Sequence, residues 1–487
     1  MRQMHQTGHP LGGAAWQAMA GLDVAGITAD SRQVVPGDLF AAIPGTRIDG
    51  RSFIAEAVAR GAVAVLAPPD TKWPAGVPPR PLILDAEPRR CLSQIAAVLA
   101  GPQPRTIVAV TGTNGKTSTV EFLRQLWAGA GKKSASLGTL GLIAPGFDSG
   151  PGLTTPDPVN LAETLAGLAR FGIQHVAIEA SSHGLDQFRL DGVRLAAGAF
   201  TNLTRDHLDY HGSVDAYRAA KLRLFAELLP LGAPAVAHAE MDAVTLVALR
   251  EIAQRRGLKL HTVGETGDTI RILTVTPRPD GQVVAVETAG RRRELLLPLP
   301  GRFQADNALL AAALALVLGQ ADALDRLAEL HGVRGRMEFA ARLPNGAVVY
   351  VDYAHTPDAL ERLLTALRPH TLGRLHVVFG AGGDRDTGKR PLMGSAAARF
   401  ADVAIVTDDN PRSEDPAAIR AAVLAGCPGG REIGDRAQAI AAALDGLAAG
   451  DVLAVAGKGH EQGQTIAGTV IPFDDVDVVR RLAGDAA

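Results

Sequence analysis

The chain has 487 residues, a formal net charge of −2, 47% hydrophobic residues and 21% charged residues. This length predicts two to four domains rather than one core. The near-neutral charge gives no support to a nucleic-acid or membrane-surface binder, which carries a basic excess.

The opening MRQMHQTGHPLGG holds no apolar run of signal-peptide length. The two cysteines, Cys91 and Cys427, lie far apart without metal-type spacing and fit a reduced, cytoplasmic setting. A first block runs to residue 102. It mixes β-like runs at Leu39–Ile43, Ala62–Leu66 and Pro81–Leu84 with a helix-like stretch at Arg90–Ala100, and GPQPR reads as a linker.

A second block, 103–333, opens on TIVAV, a continuous apolar run expected of a buried parallel strand. A Gly-rich turn and a helix from about Thr117 to Ala130 follow. Further runs at His175–Ile178 and Ala196–Phe200 alternate with helical stretches, the pattern of an α/β sheet covered on both faces. The most apolar stretch, Ala308 to Leu318, falls short of the roughly 20 residues a membrane helix needs and predicts a buried helix. A third block, 334–487, has β-like runs at Ala347–Val351, Leu375–Phe379, Val403–Val406 and Val452–Ala456. Helix-like stretches such as Pro357–Leu367 and Arg436–Leu447 separate them, again an α/β and Rossmann-like pattern.

The strongest motif is VTGTNGKTST, residues 110–119. A strand enters, Gly112 and Gly115 permit a tight path, and a helix leaves. Such a loop aims backbone N–H groups and a helix N-terminus at phosphate oxygens. Lys116 then reaches the β- and γ-phosphates and the Thr117 hydroxyl binds Mg²⁺. Val110 stands where the strict P-loop pattern has its first glycine, and a plain glycine turn with a solvated lysine is the alternative. Glu179 ends the run HVAI, where α/β sheets place their sites. TNLTRDHLDYHG, residues 201–212, offers oxygen and nitrogen ligands for a divalent cation; hydrogen-bonded surface histidines are the other reading of His207 and His211. In the third block FGAGGDRDTGKRP, TDDNPRSEDP and AGKGHEQG each follow a β-like run, so all three can meet at one sheet edge.

The short loop TGTNGKTS resembles the Mur ligase family, and the resemblance extends from about residue 26 to about residue 465. It implies three α/β domains: a UDP-binding N-terminal domain, a central P-loop mononucleotide-binding domain and a C-terminal Rossmann-like domain. It implies an ATP-dependent ligase in which a substrate carboxylate is phosphorylated and an amine displaces the phosphate. Gly112, Thr113, Asn114, Gly115, Lys116, Thr117 and Ser118 match the ATP loop, with Asn307, Arg336, Asp352 and His355 on the nucleotide side. The family commonly has Asn where this chain has Gln304. Lys116, Glu179, His207 and Lys221 match catalytic positions. Thr117, Glu179, His207 and Lys221 match the holders of two Mg²⁺ ions, Lys221 as a CO₂-derived carbamate.

Ser31, Thr46, Arg47, Ile48, Thr154, Thr155, Ser181, Gln187 and Arg189 match contacts to a UDP-linked muramoyl peptide. The DNPR segment implies meso-diaminopimelate as the amino acid, with Arg385, Asp409, Asn410, Pro411, Arg412, Gly457 and Glu461 around it. Arg412 would pair with the distal carboxylate through its forked donors and Glu461 with the distal ammonium. The expected nucleotide substrate is UDP-N-acetylmuramoyl-L-alanyl-D-glutamate, used by a cytoplasmic monomer that binds no nucleic acid and enters no membrane. Lysine addition, tripeptide recycling and folate glutamylation are rivals within the family; a nucleotide-driven switch or motor is the rival outside it.

Overall fold

The computed structural model describes residues 21–45, 48–148, 150 and 152–484. Thr46, Arg47 and the opening MRQMHQTGHPLGG lie outside the described residues. The chain falls into two compact units, Met1–His261 and Thr262–Ala487.

In the first unit, β1 (Gly26–Thr28), β2 (Asp38–Ala41), β3 (Ala64–Ala67) and β4 (Leu82–Leu84) form a parallel sheet in that order. Every residue of β2 and β3 is buried, which is why these strands read as continuous rather than alternating apolar runs. The helix Pro88–Ala100 places Leu92, Ile95 and Ala96 in one core with Ile27, Leu39 and Leu66. Ala162, from the helix Pro158–Arg170, joins that core and ties the first block to the second.

The second block is built on β5 (Thr106–Thr111), β6 (Ser134–Gly138), β7 (Gly141–Ala144), β8 (Phe147–Asp148), β9 (His175–Glu179), β10 (Ala197–Phe200) and β11 (Pro234–His238). Their order is β11-β10-β5-β9-β6-β7-β8. The strands β11 to β6 are parallel and the last two antiparallel. The chain leaves β5 toward β6 and β9 on one side and later returns to β10 on the other. The carboxyl end of β5 is therefore a topological switch point, where open α/β sheets bind ligands.

Strand β12 (Lys259–Gly264) carries the chain into the second unit, where its last residues pair with β13 (Ile270–Arg278). β14 (Gly281–Thr288) and β15 (Arg291–Leu297) complete an antiparallel meander. The helix Arg302–Val317 follows, and its Ala308–Ala315 stretch is buried throughout, as the sequence predicts. A six-stranded sheet closes the unit: β16 (Glu338–Arg342), β17 (Val348–Asp352), β18 (Leu375–Phe379), β19 (Val403–Val406), β20 (Arg431–Glu432) and β21 (Val452–Ala456). The order is β16-β17-β21-β18-β19-β20, with β16 antiparallel and the others parallel. Alternate residues serve opposite faces. Val348, Tyr350 and Val377 pack with Leu360, Leu364, Met393 and Val423, whereas Val349, Val351 and Val378 pack with Ile440, Leu444 and Val479. A hairpin of β22 (Gly463–Ile466) and β23 (Thr469–Pro472) projects beyond β21. The α/β reading of all three sequence blocks holds. Among the described residues no helix is long and apolar enough to cross a membrane.

Candidate active site

The phosphate loop leaves the buried end of β5 and enters the helix Lys116–Gly129 through Gly115, whose φ of 82° is left-handed. Thr201 and Asn202, just beyond β10, brace it. Thr113 N donates to Asn202 O (2.8 Å) and Asn114 N to Asn202 Oδ1 (3.0 Å). Thr201 Oγ1 and Asn202 Nδ2 both donate to Asn114 O. The N–H groups of the first helical turn have no intrahelical acceptor, which suits that turn to an anion. Lys116 Nζ lies at 2.9 Å from Gly112 O and 2.8 Å from Thr113 O, at the mouth of the loop. Gly112 has a φ of 142°, and a Cβ there would collide with Thr201 Oγ1. Gly112→Ala should therefore lower kcat/KM for ATP by about 10-fold or more, the equivalent of 1–3 kcal/mol of backbone strain moved into the loop. Nucleotide titration of the variant checks this; unchanged ATP use would mean the path of the loop is irrelevant.

Lys221 is the second lysine on this carbonyl, with Nζ at 2.7 Å from Gly112 O and 4.5 Å above the Tyr217 ring. It stands on the helix Val214–Arg223 and is buried. Burial, and then the neighbouring Lys116 charge, push its ammonium well below the ordinary lysine range. A buried amine that readily gives up its proton is the nucleophilic form that CO₂ requires.

Glu179 ends β9 beside β5, in register with Val110. Its Oε1 accepts from Thr139 N (2.8 Å) and its Oε2 from Thr139 Oγ1 (3.3 Å). Gly138 lies so close to the Glu179 carboxylate that a Cβ would overlap Oε1. His207 adopts a left-handed φ of 50° and is half exposed, with its ring 4.9 Å from that of His183 and 6.1 Å from that of Tyr217. Among the described residues no group of three or more His, Cys, Asp or Glu side chains forms a ready metal cage.

The peptide-side residues form one connected network. Thr139 Oγ1 meets Thr154 Oγ1 at 3.0 Å, and Thr155 Oγ1 donates to Glu179 O at 2.8 Å. Ser181 N donates to Thr155 Oγ1, and Ser181 Oγ caps the helix Ser182–Asp186. Arg189 donates to Thr155 O (2.6 Å) and Gln187 Oε1 (2.8 Å), and Gln187 Nε2 donates to Tyr210 OH (3.1 Å). Thr154, Thr155, Ser181, Gln187 and Arg189 are thus brought together beside Glu179. Ser31 lies in the first block, buried, with Oγ on Glu56 Oε2 at 2.8 Å, while Ile48 is exposed. The structure gives neither a link to the Thr155–Arg189 network.

In the second unit Asn307 and Gln304 lie buried on the helix Arg302–Val317, with Asn307 Nδ2 3.4 Å from Gln304 Oε1. Gln304 Nε2 donates to Arg336 O at 3.1 Å. The Arg336 guanidinium stacks 4.9 Å over Tyr353, whose ring also meets His355 and His460. Burial pushes the His460 imidazole down to about 4, so it is neutral near pH 7. Asp352 accepts from Met337 N (2.7 Å) and Ala354 N (2.8 Å), and burial raises its carboxyl above the ordinary value. Its carboxylate fixes the turn that carries Arg336.

Three loops do meet at the carboxyl edge of the C-terminal sheet. Arg412 Nη1 donates to Gly383 O at 2.6 Å, joining the β19 loop to the β18 loop. Asn410 Nδ2 donates to Glu461 Oε2 at 2.8 Å, joining it to the β21 loop. Arg412 holds a left-handed φ of 53°, with its N–H on Thr465 O and its carbonyl accepting from Ala467 N. Pro411 precedes it, buried, and Arg385 is exposed on the β18 loop. Gly457 N donates to Asp352 O, and a Cβ on Gly457 would sit 3.4 Å from Asp409 Oδ2.

Sequence reading passed over several members of these sites. Asn202 and Thr139 are small polar residues whose roles exist only once distant strands are aligned. Lys458, in AGKGHEQG, is buried between Asp409, Asn410 and Glu461; a lysine between two glycines after an apolar strand was the available signal.

A strand–loop–helix phosphate cradle at a sheet switch point with a carboxylate beside it, and a cluster of opposite charges on a second α/β sheet, are parts an ATP-dependent ligase needs. Family models match along most of the chain: the Mur ligase family catalytic domain over 23–97, the Mur ligase middle domain over 110–315 and the Mur ligase glutamate ligase domain over 335–459. The chain belongs to the Mur ligase family. It is 55% identical over 470 residues to the UDP-N-acetylmuramoyl-L-alanyl-D-glutamate--2,6-diaminopimelate ligase of Caulobacter vibrioides, covering 95% of this chain and 96% of that one. It is 51% identical over 467 residues to the ligase of the same name from Rhizobium meliloti, covering 96% and 95%. A solved structure of a ligase of that name superposes with a TM-score of 0.73 at 34% identity, covering 95% of each chain. A MurF ligase from Thermotoga maritima, solved with ADP, shares the fold at 19% identity and a TM-score of 0.61, covering 96% and 98%.

Proposed function

We propose that this Mur ligase joins meso-2,6-diaminopimelate to UDP-N-acetylmuramoyl-L-alanyl-D-glutamate, at the expense of ATP, in peptidoglycan-precursor synthesis. The observation that carries the choice of amino acid is the junction of Arg412, Asn410 and Glu461 at one sheet edge. A forked guanidinium and a carboxylate there suit the distal carboxylate and ammonium that diaminopimelate carries and that lysine only half supplies. Arg385, Asp409, Pro411 and Gly457 complete that site.

In the first unit the Thr155–Ser181–Gln187–Arg189 network holds the peptide, and Ser31 and Ile48, with Thr46 and Arg47, hold the uridine end. The loop Gly112–Ser118 holds the ATP phosphates, while Asn307, Arg336, Asp352 and His355 serve the rest of the nucleotide. The γ-phosphoryl group passes to the D-glutamate γ-carboxylate, giving an acyl phosphate and ADP. The amine of diaminopimelate then attacks the acyl carbon, and phosphate leaves as the amide forms. Lys116 sits where charge develops on the transferred phosphoryl group.

The donor set fits Mg²⁺: the Thr117 hydroxyl on the first helical turn, the buried Glu179 carboxylate, His207, and Lys221 as a carbamate, chiefly hard oxygen ligands. Mg²⁺ there would offset the repulsion between two anionic reactants. Acting as a monomer in the cytoplasm belongs to the same reading, as do domain limits at 1–102, 103–333 and 334–487.

The test is phosphate release from ATP with the nucleotide substrate and either meso-diaminopimelate or L-lysine. Strong preference for diaminopimelate, with a matching mass gain in the product, is expected. Equal use of lysine would refute the amino-acid assignment, and ATP turnover indifferent to both would point to a switch or motor. Lys221 gives a separate expectation. Its lowered proton affinity means that carbamate forms as pH rises through the folded-state value and is lost on acidification. Native mass spectrometry should show one CO₂ adduct that Lys221→Ala lacks. Full activity in CO₂-free buffer without an adduct would sink the carbamate.

A further inference from the structure

The amino-acid site contains an ammonium that no step of the ligation uses. The Lys458 side chain is 0% exposed. Its Nζ lies 3.1 Å from Asn410 Oδ1, 3.5 Å from Glu461 Oε2 and 3.8 Å from Asp409 Oδ1. Thr465 N also donates to Asn410 Oδ1, at 2.9 Å. An amide oxygen that receives two donors has one permitted orientation, since a flip would set its NH₂ group against an ammonium and an N–H. The Asn410 NH₂ group must then face the other way, and there it donates to Glu461 Oε2 at 2.8 Å. Glu461 is thereby held through one oxygen, and its side chain remains 34% exposed.

Asp409 lies beneath, buried, and its Oδ1 has no hydrogen-bond partner among the described residues. Lys458 is its ion-pair partner. The other buried cation near by, Arg436, already makes a two-bonded pair with Asp475 and donates to Ala456 O.

We propose that Lys458 is a positioning residue that sets specificity at the ammonium end of the amino acid. By fixing the Asn410 amide it presents the remaining oxygen of Glu461 to a substrate ammonium. By offsetting the charge of buried Asp409 it leaves the exposed oxygen of Glu461 as the acceptor for one ammonium. This inference rests on the amino-acid site proposed above.

The test compares the full-length protein with Lys458→Met, at saturating ATP and nucleotide substrate, on two amino acids. One is meso-diaminopimelate; the other is 2-aminopimelate, which keeps the distal carboxylate and lacks the distal amine. The KM for diaminopimelate should rise by about 10-fold or more, the size of a lost charged hydrogen bond. The KM for 2-aminopimelate and the KM for ATP should stay within about twofold, because neither ligand has a distal ammonium for Glu461 to receive. An equal rise for both amino acids, or no rise for either, would overturn the inference alone. Failure of the unmodified protein to prefer diaminopimelate over lysine would overturn the substrate reading and this inference with it. Lys458→Gln, which can still donate to Asn410 without the charge, carries the same comparison if the methionine variant does not fold; a smaller rise confined to diaminopimelate is then expected.

Discussion

Lys116→Met should lower the rate of phosphate release by about 10³-fold or more at saturating substrates, because the lost charge acts where the phosphoryl group becomes most anionic. The ammonium is already poised, its Nζ within 2.9 Å of two loop carbonyls, so no rearrangement of the helix start is needed to bring it to a phosphate. Methionine keeps the stem length and removes only the charge. A second effect follows from Lys221, whose ammonium is disfavoured first by burial and then by Lys116. Removing Lys116 relieves that repulsion, so Lys221 should hold its proton to higher pH and take up CO₂ less readily. Rapid-quench measurement of phosphate release and intact-mass analysis check the two parts. A fall of less than about 10-fold would mean that the loop Gly112–Ser118 does not carry the chemistry.

Arg412→Ala should raise the KM for meso-diaminopimelate by about 10- to 100-fold, the range for a charge-assisted pair, and should erase its advantage over lysine. The left-handed backbone at Arg412 is anchored by main-chain bonds to Thr465 and Ala467, so truncating the side chain removes its bond to Gly383 O and leaves the Arg412 backbone in place. Arg412→Lys is the sharper comparison, since it keeps the charge but loses the forked donors, and should fall between the two. Competition between diaminopimelate and lysine reads all three proteins on one scale. Undiminished preference in the alanine protein would remove Arg412 from amino-acid recognition.

Much of this architecture was legible because buried parallel strands announce themselves. TIVAV, LHVVF and VLAVA are apolar without alternation since helices cover both faces of their sheets, and each appears as a strand within a residue of where it was expected. The meander β13 to β15 was not singled out. Strand β15, RRRELLL, places charged residues consecutively because most of it is exposed, so its period is masked. The split after His261 also has no composition signal, as it falls inside a strand. At the site, the phosphate loop could be read locally because all its parts are consecutive. The Thr155–Ser181–Arg189 network could be grouped only through the family resemblance, since its members come from separate loops that the sheet brings together. Lys458 and Asn202 escaped because their contacts with Asn410 and Asn114 span about 50 and 90 positions.

The bracing of the phosphate loop bears on the thermodynamics of nucleotide capture. Thr113 and Asn114 have committed their amides to Asn202, and Thr201 holds the Asn114 carbonyl. The loop is therefore ordered as part of folding, before any ligand arrives, and binding need not supply the conformational entropy of shaping it. Preorganisation of this kind favours fast capture and an enthalpy set by the phosphates themselves. It also makes Asn202, through its bonds to Thr113 and Asn114, a residue on which nucleotide affinity depends.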